Sequence, residues 1–315
     1  MQEIIHILAA TNKKYAPFCG VMLTSVFKNN PNADAYVLIG KSLGKRQEKK
    51  FKKLEEEFNT CIHFIKVESD VFTHVPLHYL SIETYYRILV SSLLPKDIGR
   101  VLYLDCDIIV NDHLDDLWNM DLNSRSCAVV LESDCYYPPA NHFSRLNISK
   151  DLGYFNAGMM LLNLNYWRKN HVEQQILDYL EIHKDSLKFQ DQDVLNFVLK
   201  DSKLLVDPKY NLQTFLLRKD LFELFPEQYR SKILNAKPVI AHAIVKPWNI
   251  KSIKYPFYHL WHKYKRCSPW KHKQDYILRA KSIIVIFKRY ILYPLGLVPF
   301  PSDYINEFKT NREWM

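Results

Sequence analysis

The chain has 315 residues, of which 48% are hydrophobic and 24% are charged, a composition typical of a folded protein with a packed core. Seven glycines, fifteen prolines and the absence of a repeat at solenoid period exclude collagen-like, low-complexity and solenoid architectures. The opening residues lack the basic and apolar regions of a signal peptide, and no run of about 18 uncharged apolar residues occurs, so we expect a cytoplasmic protein without a membrane span.

The net charge of +9 is concentrated at one end of the chain. Residues 251–315 contain 13 Lys plus Arg against 4 Asp plus Glu, which accounts for the whole excess. We therefore predict a nearly neutral catalytic or binding body at 1–250 and a basic, aromatic extension at 251–315 whose partner is anionic. The six cysteines show no CxxC pair and no histidine at zinc-finger spacing, which indicates neither a zinc site nor a disulfide framework.

Short apolar runs alternate with longer helical patterns over the first 105 residues. The periodicity predicts strands at 4–10, 35–39, 61–67 and 101–104, separated by helices at 17–29, 45–58 and 83–94. Strands separated by helices of this length predict an α/β fold with a mostly parallel sheet and helices on both faces. Ligands of such sheets bind beyond the carboxyl ends of the strands.

The alternation loosens after residue 107. Further strands are predicted at 127–131, 157–164 and 239–243, and helices at 166–183 and 191–199. Residues 133–153 are rich in aromatic, Pro and Asn residues, which predicts a loop or partial lid.

The sharpest local feature is VLYLDCDIIV, in which an apolar strand ends in Asp105 and Asp107. On an extended chain two such side chains point to one face about 6 to 7 Å apart, close enough to share a divalent cation. Asp-x-Asp occurs twice in this chain, so the setting at the end of a buried strand is what favours a metal site. Mg²⁺ or Mn²⁺ held by few carboxylates keeps positions open for phosphate oxygens.

Three other segments also combine an apolar element with polar residues at its end. In GYFNAGMMLLNLNYWR, small residues beside Asn156 allow a ligand close to the backbone, although a turn entering a core strand explains them equally well. In FQDQDVLN, the acidic residues at 191–193 also fit the capping of a helix. In IAHAIVKPWN, His242 and Lys246 would supply a metal ligand and a phosphate partner, while a structural histidine is the simpler interpretation of His242 alone.

Taken in order, these segments resemble the retaining family-8 glycosyltransferases, which include bacterial lipopolysaccharide galactosyl- and glucosyltransferases and the glycogenins. The resemblance covers about residues 3–250 and is carried by LAATNKKYAPF, LSIETYYRI, YLDCD, YFNAGMMLLNL, FQDQDVLN and the stretch from His242 to KPW. It implies a GT-A nucleotide-sugar-binding fold and a UDP-sugar donor, UDP-glucose or UDP-galactose. It also implies Mn²⁺, with Mg²⁺ as an alternative, and α-linked transfer to a glycan or lipopolysaccharide-type acceptor.

The resemblance also implies roles for individual residues. Asp105, Asp107 and His242 would bind the metal, Lys246 would hold the diphosphate, and Arg87 would contact phosphate or sugar. Contacts to the nucleotide or donor sugar would come from Ala10, Thr11, Asn12, Tyr15, Asp105, Cys106, Asn156 and Ala157. Asp191 and Gln192 would be the catalytic pair, either as nucleophile and oxocarbenium stabiliser in a double displacement or beside the donor sugar in a front-face attack.

This chain departs from the family pattern at two places. Asn12 stands where the family usually has Asp; its amide still offers a donor and an acceptor to a uracil edge. Only three residues separate His242 from Lys246, where the family tends to have about five including a glycine, so a close backbone approach to the phosphates is lost.

Other classes of protein are less consistent with the sequence. A catalytically silent sugar-binding module would be expected to lose one of Asp105, Asp107 and His242, yet all three are present. A nucleotidylyltransferase would carry a Gly-rich phosphate loop after the first strand, and AATNKKYAP has no glycine. No nucleic-acid-binding motif accompanies the basic extension, so no nucleic-acid partner is predicted.

The extension contains a basic and apolar segment, RAKSIIVIFKRYILYPLGLVPF, at 279–300. Lys288 and Arg289, followed by Pro294 and Gly296, interrupt its apolar residues, so a span of about 20 residues is not available. Its helical spacing predicts a peripheral anchor on the anionic inner face of a membrane, where a lipid-linked acceptor would be found. The alternative is a helix that packs on the body with its Lys and Arg in solvent.

Overall fold

The computed structural model describes residues 3–68, 72, 75, 81–249, 256–272 and 305. In chain order, the strands of these residues are β1 (Ile5–Ala10), β2 (Ala33–Ile39), β3 (Ile62–Lys66), β4 (Arg100–Leu104), β5 (Ile108–Val110), β6 (Cys127–Leu131), β7 (Phe155–Asn163), β8 (Lys203–Leu205), β9 (Leu212–Gln213) and β10 (Ile240–His242). The α-helices are α1 (Ala16–Asn29), α2 (Lys45–Phe58), α3 (Val90–Leu93), α4 (Asp115–Trp118), α5 (His142–Leu146), α6 (Leu164–Lys169), α7 (Val172–His183), α8 (Gln190–Val198), α9 (Lys219–Phe222), α10 (Glu227–Asn235) and α11 (Tyr258–Arg266).

The main sheet has seven strands in the order β3-β2-β1-β4-β7-β6-β8. The first four strands in that order run parallel, β7 runs antiparallel to β4 and to β6, and β8 runs parallel to β6. The mostly parallel sheet predicted from the alternation of strands and helices is therefore confirmed. A second, three-stranded sheet with the order β5-β10-β9 lies beside it.

Helices cover both faces of the main sheet, because alternate residues of each buried strand point to opposite sides. Ile7 of β1 belongs to a buried cluster that includes residues of α1 and α2. Its neighbour Leu8 belongs to another cluster, which includes residues of α6, α7 and α8. Both side chains are fully buried, so the sheet has a hydrophobic layer on each face.

Two of the predicted helices differ from the observed ones. The segment predicted as one helix at 83–94 is a 3₁₀ helix at Ile82–Leu89 followed by the short α3, and its i, i+3 spacing places Tyr85 and Ile88 together in the core. The helix predicted at 166–183 is divided into α6 and α7 at His171, whose φ of 51° lies in the left-handed region and interrupts helical hydrogen bonding.

The predicted loop at 133–153 contains structure of its own. It carries two 3₁₀ turns, Pro138–Ala140 and Lys150–Leu152, on either side of α5. Phe143 and Leu146 of α5 pack in a cluster that also contains residues of the 212–236 segment. Ser133 and Asp134, at the start of the segment, line the ligand cleft described below.

The first part of the basic extension packs on α1. Trp261 and Tyr264 of α11 are buried against Phe18 and Val21 of α1. Trp270 covers Gly20 so closely that a Cβ there would lie 2.1 Å from the indole ring. Residues 256–272 therefore share the core of the body, whereas the membrane anchor predicted at 279–300 lies outside the described residues. Across the described ranges, each helix is too short or too polar to cross a bilayer.

Candidate active site

A cleft of about 570 Å³ opens where β1, β4 and β6 end, at the edge of the sheet expected for ligands. The cleft is lined by every site residue named from the sequence except Ala157: Ala10, Thr11, Asn12, Tyr15, Arg87, Asp105, Cys106, Asp107, Asn156, Asp191, Gln192, His242 and Lys246. Ala157 is buried behind the cleft, where its backbone N–H donates to Oε1 of Gln192 at 3.0 Å.

Asp105, Asp107 and His242 converge on the floor of the cleft. Each offers one ligand atom, and these atoms lie within 4.8 Å of one another. The residues at 105–107 form a turn between β4 and β5, closed by the Ile108 N–H and the Asp105 carbonyl at 3.2 Å, so the carboxylates are closer than an extended chain would place them. His242 reaches them because it pairs with Ile108 in the antiparallel β5–β10 ladder.

Gly158 lies against His242 and Asp105, and its lack of a side chain keeps the space between them open. A Cβ added to Gly158 would lie 2.4 Å from Cε1 of His242 and 2.9 Å from Oδ2 of Asp105. No side chain fits there without displacing a ligand. Gly158 also anchors the turn, since its carbonyl accepts a hydrogen bond from the Asp105 N–H at 2.8 Å.

The donor set fits a divalent cation. Asp107 and His242 are almost fully buried, at 4% and 2% exposed, whereas the Asp105 side chain is 30% exposed toward the open cleft. Two carboxylates and one imidazole suit Mn²⁺, and Mg²⁺ less well because Mg²⁺ prefers oxygen. Within the ranges that the structure describes, this is the one group of three or more His, Cys, Asp or Glu side chains close enough to hold a metal.

Lys246 reaches the same floor. Its Nζ lies 2.7 Å from Oδ2 of Asp107, and about half of the side chain is exposed to the cleft. Burial opposes ionisation of Asp107, but the Lys246 ammonium and His242 outweigh it and hold the pKa of Asp107 well below its usual range. The short spacing between His242 and Lys246 therefore still allows the lysine to reach Asp107, one of the three side chains that could hold a metal.

Arg87 joins the two acidic positions of the cleft. Its buried guanidinium lies 3.5 Å from Oδ1 of Asp105 and 2.8 Å from Oδ2 of Asp191. Its Nε–H is directed at the Thr84 carbonyl instead, at 3.0 Å. Among the described residues, Oδ2 of Asp191 has the neighbouring charge of Arg87 but no hydrogen-bond partner, and Asp191 is one of the residues that line the cleft. Tyr103 completes the arrangement by donating to Oδ1 of Asp105 at 2.7 Å.

The two acidic residues at the start of α8 have different environments. Asp193 accepts hydrogen bonds from the backbone N–H groups of Lys188 and Phe189 at 2.9 and 2.8 Å, and from both terminal nitrogens of Arg145. It therefore satisfies the helix terminus, the role that the sequence also allowed for this triplet. Asp191 is left to the cleft, where burial raises its pKa to about 7 although Arg87 favours the carboxylate.

A third acidic residue, Glu132, joins Asn156 to Gln192. Its Oε2 accepts from Nδ2 of Asn156 at 2.8 Å and from Nε2 of Gln192 at 3.1 Å. Sequence reasoning missed Glu132, although it directly follows β6 in the same way that Asp105 follows β4. Its position as a polar residue directly after a buried strand was the signal in the sequence that could have identified it as a site residue.

The opposite end of the cleft is formed by the residues that begin α1. Oδ1 of Asn12 accepts from the backbone N–H groups of Lys14 and Tyr15, each at 3.0 Å, and Nδ2 donates to Glu83 at 3.0 Å. Tyr15 stands edge-on to Trp248, with ring centroids 5.8 Å apart. Asn12 thus stabilises the start of α1 through its Oδ1. Its Nδ2 uses one hydrogen for Glu83 and has a second hydrogen next to that carboxylate. An aromatic wall and paired polar groups suit a nucleobase.

Comparison with solved structures gives the class of the fold. The structure superposes on the galactosyltransferase LgtC in complex with donor and acceptor sugar analogs with a TM-score of 0.75 at 22% sequence identity, covering 89% of this chain and 100% of that one. It superposes on the WbbM bifunctional glycosyltransferase with a TM-score of 0.69 at 19% identity, covering 92% of this chain and 52% of that one. The fold is therefore the GT-A-like α/β fold expected from the resemblance.

The sequence comparison identifies the family. Residues 6–252 match the sequence model of glycosyl transferase family 8, and the chain belongs to that family. It is 29% identical over 283 residues to general stress protein A of Bacillus subtilis, covering 85% of this chain and 95% of that protein. It is also 29% identical over 294 residues to a lipopolysaccharide 1,2-glucosyltransferase of Escherichia coli, covering 91% and 85%. The protein is thus a glycosyltransferase, as the sequence motifs indicated.

Proposed function

We propose that the protein is a metal-dependent, retaining hexosyltransferase that moves glucose or galactose from a UDP-sugar to a lipopolysaccharide-type glycan. The observation that carries the proposal is the convergence of Asp105, Asp107 and His242 within 4.8 Å on the floor of a cleft in a family-8 fold. The names of the relatives support the choice of sugar and acceptor: one is a lipopolysaccharide 1,2-glucosyltransferase and another, 27% identical over 279 residues, is a lipopolysaccharide 1,3-galactosyltransferase of Salmonella typhimurium.

In this proposal, Asp105, Asp107 and His242 hold Mn²⁺, or Mg²⁺ in its place. The bound cation would neutralise the diphosphate leaving group as the glycosidic bond breaks. Lys246 supplies a second positive charge from the exposed side of the cleft, close to the same carboxylate. Asp105 remains the most accessible of the three ligands and so faces the incoming donor.

The donor sugar lies between Asn156, Asp191 and Gln192 in this assignment. Asp191 lines the cleft, and its Oδ2, which lies beside Arg87, has no hydrogen-bond partner in the described residues, so it could accept a hydrogen bond from a sugar hydroxyl. An α-linked donor then gives an α-linked product, through either covalent attack by a carboxylate or front-face attack by the acceptor hydroxyl. The nucleotide occupies the end of the cleft formed by Ala10, Thr11, Asn12, Tyr15 and Cys106.

The basic extension carries the proposed membrane association. Residues 279–300 would lie on an anionic surface at the inner face of the membrane, where a lipid-linked glycan acceptor is available. The support for this is the local charge excess of the extension and its interrupted apolar pattern. Because 256–272 already pack on the body, the anchoring segment would begin beyond Trp270.

The test is UDP release from UDP-glucose, UDP-galactose and their N-acetyl forms, measured on metal-stripped enzyme before and after Mn²⁺ is added. We expect turnover with one of the two hexose donors and only with metal present. Asp105→Asn and Asp107→Asn should each reduce turnover by at least about 100-fold while the protein stays folded. Asp116→Asn, on the exposed surface of α4, is the matched control and should retain wild-type turnover. Full activity of the stripped enzyme in excess chelator would refute the metal-dependent function.

A further inference from the structure

We infer that Asn211 is a positioning residue that selects the ring form of His242 and thereby sets the affinity for the metal. The inference rests on the proposed function, since it takes Nε2 of His242 as the atom that faces a cation. Asn211 is fully buried, and its Oδ1 lies 2.9 Å from Nδ1 of His242. The hydrogen bonds that connect Asn211 to Asn156, and Asn156 to its own partners, determine which of the two atoms carries the hydrogen.

The amide of Asn156 has only one possible orientation. Its Oδ1 lies 3.0 Å from the backbone N–H of Gly158, which can only donate. Its Nδ2 lies 2.8 Å from the carboxylate of Glu132, which can only accept. A rotated amide would place donor against donor and acceptor against acceptor, so Asn156 must present its oxygen toward Gly158 and its nitrogen toward Glu132.

The orientation of Asn156 determines that of Asn211. The second hydrogen bond to Oδ1 of Asn156 comes from Asn211 at 2.9 Å, and only the Nδ2 end of that amide can donate it. Oδ1 of Asn211 therefore faces His242 and accepts a hydrogen from Nδ1. The neutral imidazole then carries its lone pair on Nε2, which lies 3.4 Å from Oδ1 of Asp107 on the metal side.

The surroundings favour this single arrangement. Asn211 lies immediately before β9, which runs parallel to β10 with His242 beside Gln213, so the two sheets bring the amide and the imidazole together. Thr214 also holds the strand end by donating to the His242 carbonyl at 3.2 Å. Asn156, Asn211 and His242 are all at most 5% exposed, so water has little access to replace a lost partner.

The same hydrogen bonds connect the metal ligand to the proposed sugar subsite. Glu132 accepts hydrogen bonds from Nδ2 of Asn156 at 2.8 Å and from Nε2 of Gln192 at 3.1 Å. Asn211 is therefore the second residue, next to His242, in a continuous hydrogen-bonded chain that runs from His242 to Gln192. Substitution of Asn211 should act first on the metal and only secondarily on the donor sugar.

The experiment measures the Mn²⁺ dissociation constant, without nucleotide, from the electron paramagnetic resonance signal of free Mn²⁺. Asn211→Leu keeps the branched shape and the number of side-chain heavy atoms and removes both hydrogen bonds, and we expect binding about 10- to 100-fold weaker than wild type. Asn211→Asp keeps an acceptor for Nδ1 but loses the donor to Oδ1 of Asn156, so we expect binding weaker than wild type by a few-fold and clearly tighter than in Asn211→Leu. Asn235→Ala, on the exposed face of α10, should have no effect.

A second measurement reads the imidazole of the wild-type protein, and a variant serves only to assign its signals. Long-range ¹H–¹⁵N NMR of the metal-free protein, with the His242 signals assigned by their loss in His242→Gln, should show hydrogen on Nδ1 in the neutral ring. Hydrogen on Nε2 would overturn the inference. Equal Mn²⁺ affinity of Asn211→Leu and wild type would also overturn it, as would an Asn211→Asp loss as large as that of Asn211→Leu. Failure of wild-type protein to bind Mn²⁺ would instead refute the proposed metal-dependent function.

Discussion

Lys246 and Asp107 form an ion pair with 2.7 Å between Nζ and Oδ2, although 139 residues separate them in the chain. The carboxylate that accepts this ammonium also belongs to the group of three side chains that could hold a metal ion. A cation bound to that group would therefore compete with Lys246 for Asp107. The displaced ammonium would then be available to a phosphate oxygen in the exposed part of the cleft.

Lys246→Ala should therefore separate metal affinity from nucleotide affinity. Removing the ammonium leaves Asp107 free for the cation, so Mn²⁺ affinity without nucleotide should be equal to or higher than that of wild type. UDP affinity in saturating Mn²⁺ should fall by about tenfold or more, because a charge-assisted contact to phosphate is lost. Isothermal titration of Mn²⁺ and of UDP measures both. Lys53→Ala, on the exposed face of α2, serves as the control, and a parallel loss of Mn²⁺ affinity in Lys246→Ala would contradict the competition.

Gly158→Ala should impair the metal site more than the fold. The added Cβ would lie 2.4 Å from Cε1 of His242, so either the imidazole or the turn must move. We expect at least a tenfold loss of Mn²⁺ affinity together with a loss of stability of about 1–3 kcal/mol from overpacking. Titration with Mn²⁺ measures the change in affinity, and urea unfolding measures the change in stability.

Gly99→Ala is the matched control for this substitution. A Cβ there would lie 2.8 Å from Nδ2 of Asn165, which is the end of a flexible side chain outside the cleft. We expect normal Mn²⁺ affinity for Gly99→Ala. Normal Mn²⁺ affinity for Gly158→Ala would show that the close approach is not required.

Asp191 should make the stability of the protein depend on pH. Burial raises the pKa of the folded carboxyl to about 7, whereas the unfolded chain has a pKa of about 3.9. The unfolded state therefore loses its proton first, and the contribution of Asp191 to stability is present below about pH 4 and is lost as pH rises to about 7.

The comparison is between wild type and Asp191→Asn in urea unfolding at pH 5 and pH 8 with chelator present. Relative to the variant, the free energy of unfolding of wild type should fall by about 2–3 kcal/mol over this interval. The constant cost of leaving Arg87 without its partner cancels in this difference between pH values. If the free energy of unfolding of wild type, relative to Asp191→Asn, is the same at pH 5 and pH 8, or is higher at pH 8, the pKa of Asp191 is not raised.

Truncation after Tyr276 should abolish sedimentation with anionic vesicles at low salt and leave UDP-sugar hydrolysis largely intact, because Trp261 and Trp270 precede the cut. Since Ile305 donates to the Leu217 carbonyl at 2.9 Å, truncation also removes a contact with the body. The triple variant Lys281→Gln, Lys288→Gln, Arg289→Gln keeps the chain length and should likewise lose vesicle binding. If the full-length protein does not sediment, the anchor is wrong.

Local patterns in the sequence were enough to predict most of the strands and helices. The predicted bounds of α2 and β6 agree with the structure, because periodic burial is a property of consecutive residues. The prediction of one continuous helix at 166–183 was wrong near its start, because the turn at His171 depends on a backbone conformation that the apolar pattern does not report. The 3₁₀ form of Ile82–Leu89 was missed for the same reason.

Sequence patterns alone were enough to identify the residues that could bind a metal and a phosphate, because Asp105 and Asp107 end one apolar strand and His242 ends another. How these residues meet depends on strand pairing in the folded protein. The β5–β10 register places His242 beside the turn at 105–107, and the β10–β9 register places Asn211 behind the imidazole. Pairing between strands far apart in the chain depends on the whole sheet, so neither Asn211 nor its orientation by Asn156 could be read from neighbouring residues.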